Sequence, residues 1–270
     1  MMTAFELPAD GPLQLGPVQL PAGERITPYG SQVPVAWMTT AAVPDAGLIL
    51  SVLTDIGDET GGLVPILIPP GIYHHEHGAD FGPPDESDDA DRFTDAEVMA
   101  KLWGENTPSE AEYARYPEYR ESLEPFGRQF PGLAPAEHGR LAEGAREHAL
   151  RMLPEAHVGL VRARRPADVL VAVGWSIFDA GYNPLPVSVG SWCATVLRSW
   201  EDRFGARLMW VESDRLRLLV GRPPQTVEAA TRVAAEHWAF ADECGGVTKT
   251  SIKDLAAALV GAPVWTYWWD

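Results

Sequence analysis

The sequence lacks the features that mark secreted and membrane-spanning proteins. It has only two cysteines, Cys193 and Cys244, in 270 residues, and two cysteines cannot build the dense disulfide framework of a small secreted domain. The two cysteines are also too far apart for the two-residue spacing of a redox or zinc pair. No apolar run approaches the roughly 18 residues of a membrane span, and residues 1–20 lack a basic segment followed by an apolar one. We therefore expect a cytoplasmic protein that does not associate with membranes.

Positive charge is scarce in the first part of the chain. The sequence carries 21 Lys and Arg against 38 Asp and Glu, which gives a formal net charge of −17. Residues 1–156 hold 9 basic and 26 acidic residues, whereas residues 157–270 hold 12 of each. An acidic field repels nucleic-acid phosphates and accelerates the approach of a basic partner. The asymmetry argues against nucleic-acid binding and favours a basic protein partner; the alternative is that the acidity serves solubility alone.

Turn-forming residues and composition divide the chain into three regions. Residues 1–32 are rich in proline and glycine, cannot sustain a helix and are predicted to be an extended lead-in. Residues 33–154 are predicted to form an acidic N-terminal α/β region, and residues 155–270 a Trp-rich C-terminal α+β domain. The predicted fold class is α+β, with mixed small sheets packed against helices and a compact Trp-rich C-terminal α/β sandwich. The oligomeric state stays open.

The apolar periodicity of the N-terminal region predicts a β-α-β unit. Residues 33–39 and 63–68 read as strands, and the helical spacing of apolar residues between them predicts a helix capped by Asp45 and ended by Gly57. A longer helix is predicted over residues 136–152. Three helix starts carry the spacing of an N-terminal cap: Thr94 with Glu97, Ser109 with Glu112, and Ser251 with Asp254.

The C-terminal region alternates between helical and strand periodicity. A helix over residues 192–204 is predicted to end at Gly205, and alternating apolar residues predict a hairpin over residues 208–220. The inner face of that hairpin needs a cover, which the apolar stripe of residues 227–241 supplies. Residues 264–269 are predicted to form a last strand.

Three segments of the C-terminal region carry a family resemblance. They are Leu197–Ala206, Ala234–Phe240 and the closing run Val264-Trp265-Thr266-Tyr267-Trp268-Trp269-Asp270. These segments resemble the bacterial family of domains of unknown function numbered 4253, and residues 61–65 and 130–135 are similar to the same family further upstream. The resemblance implies no activity, because the family is named for lacking an assigned one.

A histidine-rich segment is the best candidate for a metal site. Neutral imidazoles and a nearby carboxylate are donors that zinc and other divalent ions accept. The candidate ligands are His74, His75, His77 and Asp80. Their spacing does not place two histidines on one helix face, so a solvated polar loop is the alternative, and no cofactor is expected beyond this one divalent metal.

Two further sets of residues are candidates for catalysis and for ligand binding. Glu236, His237 and Asp242 could supply a base, an acid and an orienting group for hydrolysis, although His237 lies near the apolar stripe and a core histidine is the alternative. The last strand alternates Trp265, Tyr267 and Trp269 with other apolar side chains. It predicts either a central strand buried on both faces or an aromatic ligand cleft rimmed by Asp270.

We interpret the chain from sequence as a non-catalytic binding protein that engages a basic partner through its acidic half, in the manner of an immunity protein or antitoxin. One alternative is a metal-assisted hydrolase that uses the His74–His77 loop or a site near His237. The other is a small-molecule sensor with an aromatic cleft.

Overall fold

A computed structural model describes residues 6–71, 81–84, 89–176, 183–241 and 250–269. Within these residues the strands form one mixed sheet in the order β1-β2-β3-β5-β4-β6-β7-β8. The strands are β1 (Gly11–Leu15), β2 (Val18–Ile26), β3 (Ala36–Thr39), β4 (Leu63–Ile68), β5 (His157–Arg162), β6 (Ala206–Val211), β7 (Arg215–Val220) and β8 (Val264–Trp268). The α+β class predicted from the sequence is therefore confirmed, and the described strands share a single sheet.

The helices pack on both faces of this sheet. They are α1 (Ala46–Ile56), α2 (Asp95–Asn106), α3 (Glu110–Arg115), α4 (Pro117–Ser122), α5 (Ala145–Arg151), α6 (Val169–Ala172), α7 (Val189–Phe204), α8 (Val227–Phe240) and α9 (Ile252–Leu259). No helix among the described residues combines the length and the apolar content that a membrane crossing requires.

The predicted β-α-β unit is present, with one strand inserted into it. Strands β3 and β4 both run antiparallel to β5, which lies between them, so β3 and β4 are parallel to each other. Helix α1 connects them and ends at Gly57 as predicted, while Asp45 occupies the N-cap position without a side-chain capping bond. Because β5 follows residue 154, one sheet joins strands from both predicted regions. Whether those regions fold separately stays a prediction.

Alternating side chains of the central strands feed two cores on opposite faces of the sheet. Trp37 and Leu67 belong to a smaller core with residues of α1 and α5, whereas their neighbours Met38 and Ile66 belong to a larger core with residues of α2, α7, α8 and α9. This alternation follows from the two-residue period of a strand.

The hairpin and its covering helix match the sequence prediction. Strands β6 and β7 pair antiparallel, and β8 adds to the outer side of β7. Helix α7 ends at Gly205, which takes the left-handed conformation that glycine adopts at little cost. Helix α8 buries its apolar stripe in the larger core.

Two segments differ from the sequence prediction. Residues 11–26, predicted as an extended lead-in, form β1 and β2, and β2 pairs with β3. The helix predicted over residues 136–152 is reduced to α5, which starts after Gly144 at a φ of 74°. The residues before it are held by tertiary bonds, because the Glu137 N–H donates to the Arg203 carbonyl and Arg222 donates to the Glu137 carbonyl. Those bonds replace helical ones.

Two helical glycines give opposite predictions for substitution by alanine. A Cβ at Gly47 of α1 would overlap the carbonyl oxygen of Leu150 in α5, whereas a Cβ at Gly104 of α2 would meet nothing within 4 Å. We expect Gly104→Ala to stabilise the protein by about 0.5–1 kcal/mol through helix propensity, and Gly47→Ala to destabilise it by about 1–3 kcal/mol through overpacking. Urea denaturation followed by circular dichroism measures both. Equal stability of the two variants would contradict the close approach of α1 and α5.

Candidate functional site

The predicted metal ligands lie outside the described residues. His74, His75, His77 and Asp80 all fall in the gap between residues 71 and 81. Within the described ranges, no group of three or more His, Cys, Asp or Glu side chains is arranged to hold a metal ion. The metal site therefore stays a prediction.

Glu236, a predicted catalytic residue, lies at the centre of the larger core. Its side chain has no exposed surface, and its two carboxylate oxygens accept hydrogen bonds from three directions. Arg203 of α7 donates from Nη1 and Nη2 at 2.8 and 2.7 Å, Trp200 Nε1 donates at 2.7 Å, and the backbone N–H of Ala134 donates at 2.6 Å. These donors meet the hydrogen-bonding capacity of the buried carboxyl group from within the protein.

His237, the second predicted catalytic residue, is also enclosed. Its exposed fraction is 2%, its Nε2 lies 2.8 Å from the Tyr267 hydroxyl, and its ring contacts those of Trp200 and Trp265. Burial lowers the pKa of His237 to about 3, because the charged imidazolium loses its hydration. His237 is therefore neutral at physiological pH and has no path to a substrate in this conformation.

The structure does not bring the predicted hydrolytic group together at a surface. Glu236 and His237 are neighbours on α8 but have different partners. Glu236 binds Arg203 and His237 contacts the Tyr267 hydroxyl, both inside the core. Asp242, the third member, lies outside the described residues. The position of His237 agrees with the alternative given in the sequence analysis, a histidine that packs in the core.

The aromatic side chains of the last strand also lie in the core. Trp265, Tyr267 and Trp269 are 1%, 0% and 3% exposed, and Tyr267 stacks on Trp200 with ring centroids 5.1 Å apart. Their burial leaves them without the open surface that a ligand cleft needs. The prediction of a central strand buried on both faces is wrong, because β8 ends the strand order of the described residues and alternates buried with partly or fully exposed positions. Asp270 lies outside the described residues.

An acidic groove, which sequence reasoning did not localise, runs between α4 and α9. Its volume is about 640 Å³, and Lys253 is the only basic residue among the described residues that line it. The acidic groove is lined by Glu118, Glu121, Ser122, Glu124, Thr250, Ser251, Lys253 and Asp254. The acidic composition of residues 76–124 indicates the side of the groove formed by its glutamates. The side formed by α9 depends on tertiary packing, which the sequence pattern does not show.

The glutamates of the acidic groove differ from most acidic side chains around them. Glu118, Glu121 and Glu124 are exposed and form no ion pair with any described residue. Other carboxylates in α2 and α3 have local structural roles. Glu97 and Glu112 complete the capping boxes of α2 and α3, and hydrogen bonds from Thr94 and Ser109 lower the pKa of the two carboxyl groups. The groove carboxylates are therefore available to another molecule.

Removal of Arg203 tests the buried ion pair. We expect Arg203→Ala to destabilise the protein by about 3–5 kcal/mol, because it leaves the Glu236 carboxylate buried without its counter-ion. Arg232→Ala is the matched control, since Arg232 is exposed on α8 and its loss should change stability by less than about 0.5 kcal/mol. Chemical denaturation measures both changes, and a similar small effect for the two variants would contradict the central role of the pair.

The depressed pKa of His237 predicts a pH dependence of stability. An unfolded chain binds a proton near the ordinary histidine pKa of about 6.5, whereas the native state resists protonation until about pH 3. Stability from this residue is thus complete above about pH 6.5 and is lost as pH falls, by up to about 1.4 kcal/mol per pH unit. We expect the stability difference between wild type and His237→Gln to narrow from about pH 7 to about pH 4.5, as measured by urea denaturation. Gly104→Ala, which changes no titratable group and has space for the added methyl group, should keep the wild-type slope.

Comparison with known proteins identifies a family for the C-terminal region alone. No curated protein and no solved structure gives a significant match to the chain. The similarity predicted for residues 61–65 and 130–135 lies outside the matched region and stays a prediction. Residues 157–270, which include β5 to β8, Glu236 and His237, match the family model described as Domain of unknown function (DUF4253), and the predicted resemblance is confirmed over these residues.

Proposed function

We propose that this is a non-catalytic cytoplasmic protein that binds a basic protein partner through its acidic N-terminal region. The acidic groove is the observation that carries the proposal, because its exposed glutamates have no ion-pair partner among the described residues. The groove combines Glu118, Glu121 and Glu124 with Asp254, against Lys253 as the one cation in its described lining. This arrangement favours Lys and Arg side chains of a partner over any anionic ligand.

Aromatic side chains close in sequence to the groove glutamates support a protein partner over free cations. Tyr116 and Tyr119 are half-buried at the surface of α4 and pack edge to face with ring centroids 5.7 Å apart. Tyrosine is enriched at protein interfaces because it offers a large contact area and loses little conformational entropy. Arg115 and Arg120 lie on the same short helices, and such mixed charges give a partner orientation as well as attraction.

The charge of the whole chain supports fast association with a basic partner. A net charge of −17 steers a positively charged protein toward the acidic region and raises its association rate at low salt. An immunity or antitoxin role suits this property, because a nuclease toxin presents a basic cleft that an acidic surface can occupy in place of phosphate.

The geometry favours this proposal over the two alternatives drawn from the sequence. A hydrolase site near His237 has no support, since His237 and Glu236 are enclosed in the core. An aromatic-cleft sensor has no support either, since Trp265 and Tyr267 are buried. A metal-assisted reaction at the His74–His77 loop concerns residues outside the described part of the chain.

Binding of a basic probe tests the proposal. The probe is a fluorescent Lys-rich peptide, with a Gln-substituted peptide as its neutral counterpart, and binding is measured by fluorescence anisotropy. We expect the triple variant Glu118→Gln, Glu121→Gln, Glu124→Gln to bind the basic peptide about tenfold more weakly than wild type, because three exposed charge contacts are lost. The difference should shrink as salt is raised toward 1 M, where the Debye length falls to about 3 Å.

A second triple variant separates the acidic groove from total charge. Glu143, Glu155 and Glu228 are exposed elsewhere, and their change to Gln removes the same net charge. If this control weakens binding as much as the groove variant does, the effect comes from net charge and the proposed surface is wrong. Affinity that is independent of salt would contradict an electrostatic interface altogether.

A further inference from the structure

A second cleft lies at the sheet, between strands β4 and β6, away from the acidic groove. Its volume is about 350 Å³, which is within the range of small-molecule sites. The first residues of β4 and the middle of β6 line it, together with residues of α1, α5 and the β5–α6 connection. We call it the arginine cleft, because Arg146, Arg164, Arg165 and Arg207 all line it.

The arginine cleft opens where the pairing of β4 and β6 is incomplete. The two parallel strands are in register at one pair, Leu67 with Trp210. Upstream of that pair, Pro65 interrupts β4 with a residue that has no N–H to donate. Strand β6 has a register shift between Leu208 and Trp210 in its pairing with β7. We attribute the separation of the first residues of β4 and β6 to these irregularities. The side chains of those residues line the cavity, which a continuous hydrogen-bonded ladder between the two strands would close.

The positive charge of the arginine cleft is only partly balanced. Glu201 is the sole acidic residue among the described side chains that line it. Its carboxylate accepts from Arg165 Nε at 2.9 Å and lies 3.7 Å from Arg207 Nε, so two arginines share it. Arg165 also donates to Asp202 at 2.6 Å and is fully engaged.

Three of the four arginines keep unused donors. The Arg164 side chain is exposed and forms no hydrogen bond or ion pair with any described residue. The Arg207 guanidinium forms no hydrogen bond within the described ranges, and its one ion pair there is the 3.7 Å approach to Glu201. Arg146 reaches Ser51 and Asp55 through Nη2, while its Nε is buried without an acceptor among the described residues. A buried donor without an acceptor costs free energy, and Arg146 is among the residues that line the cleft.

We propose that the arginine cleft binds a small organic anion whose phosphate or carboxylate group is held by Arg164 and Arg207, with Arg146 beside them. Guanidinium groups present paired donors that match the oxygens of both groups. The interior of the cleft is apolar, with Leu53, Leu63 and Met209 among its lining residues, so the body of the ligand is apolar or aromatic. The site is separate from the acidic groove, and neither proposal depends on the other.

Aromatic anions of simple structure test this proposal on the full-length protein. The probes are phenyl phosphate and benzoate, with phenol and benzyl alcohol as neutral counterparts and inorganic phosphate as the anion without an apolar body. Isothermal titration calorimetry measures affinity, and a ligand-dependent rise in melting temperature checks it. We expect phenyl phosphate or benzoate to bind with at least about tenfold higher affinity than its neutral counterpart, and the stronger of the two identifies the head group.

Matched variants locate the binding. Arg164→Gln with Arg207→Gln should weaken the affinity for the preferred anion by at least about tenfold, and each single change by less. Both side chains are exposed, so circular dichroism should show an unchanged fold. Arg232→Gln on α8 is the control of equal charge and should leave the affinity unchanged.

Four outcomes would overturn the proposal. Absence of binding by both aromatic anions at millimolar concentration removes the site, and wild-type affinity in the double variant places the binding elsewhere. If phenol or benzyl alcohol binds as tightly as the corresponding anion, the negative charge of the ligand contributes nothing to affinity. If inorganic phosphate binds as tightly as the aromatic anions, an apolar ligand body contributes nothing and the cleft is a general anion site.

Discussion

A buried carboxylate needs donors from every side, and Glu236 obtains them from two separate segments of the chain. Arg203 and Trp200 come from α7, and the Ala134 N–H comes from the irregular segment before α5. Removal of any donor would leave part of the charge unsolvated in a medium where that is costly. The positions of α7, α8 and residues 130–137 relative to one another are therefore coupled through one buried carboxyl group. Arg203 extends the coupling, because its Nη1 also donates to the Ala134 carbonyl.

This arrangement explains why polar residues of the C-terminal region resemble catalytic residues in the sequence but have structural roles. Glu236 and His237 have the residue types of a general base and acid, but their partners are Arg203 and Tyr267. Tyr267 stacks on Trp200, which itself donates to Glu236. One network of hydrogen bonds and ring contacts thus organises the aromatic core, and the titratable groups within it stabilise structure. Surfaces that can bind other molecules lie away from this network.

Sequence patterns predicted the parts of the fold that depend on local interactions. The capping boxes at Thr94 and Ser109, the end of α7 at Gly205 and the apolar stripe of α8 follow from short-range spacing. Features that depend on distant partners were not predictable in this way. Insertion of β5 between β3 and β4, the edge position of β8 and the acidic groove between α4 and α9 all require contacts between residues far apart in the chain. Residues 136–144 look helical by periodicity, yet Arg203 and Arg222 hold Glu137 in another conformation.

Charge is separated along the chain, and the separation gives the two surfaces opposite preferences. Residues 157–270 contain equal numbers of acidic and basic residues, but their arginines differ in how completely they are ion-paired. Arg203 is neutralised by Glu236, and Arg165 by Glu201 and Asp202. Arg207 must share Glu201 with Arg165, so the arginine cleft keeps an excess of positive charge within a chain of net charge −17. The long-range acidic field repels free anions from the protein as a whole, so the arginine cleft must obtain its affinity from short-range hydrogen bonds and apolar contact. The acidic groove gains from the same field, which draws a basic partner toward it.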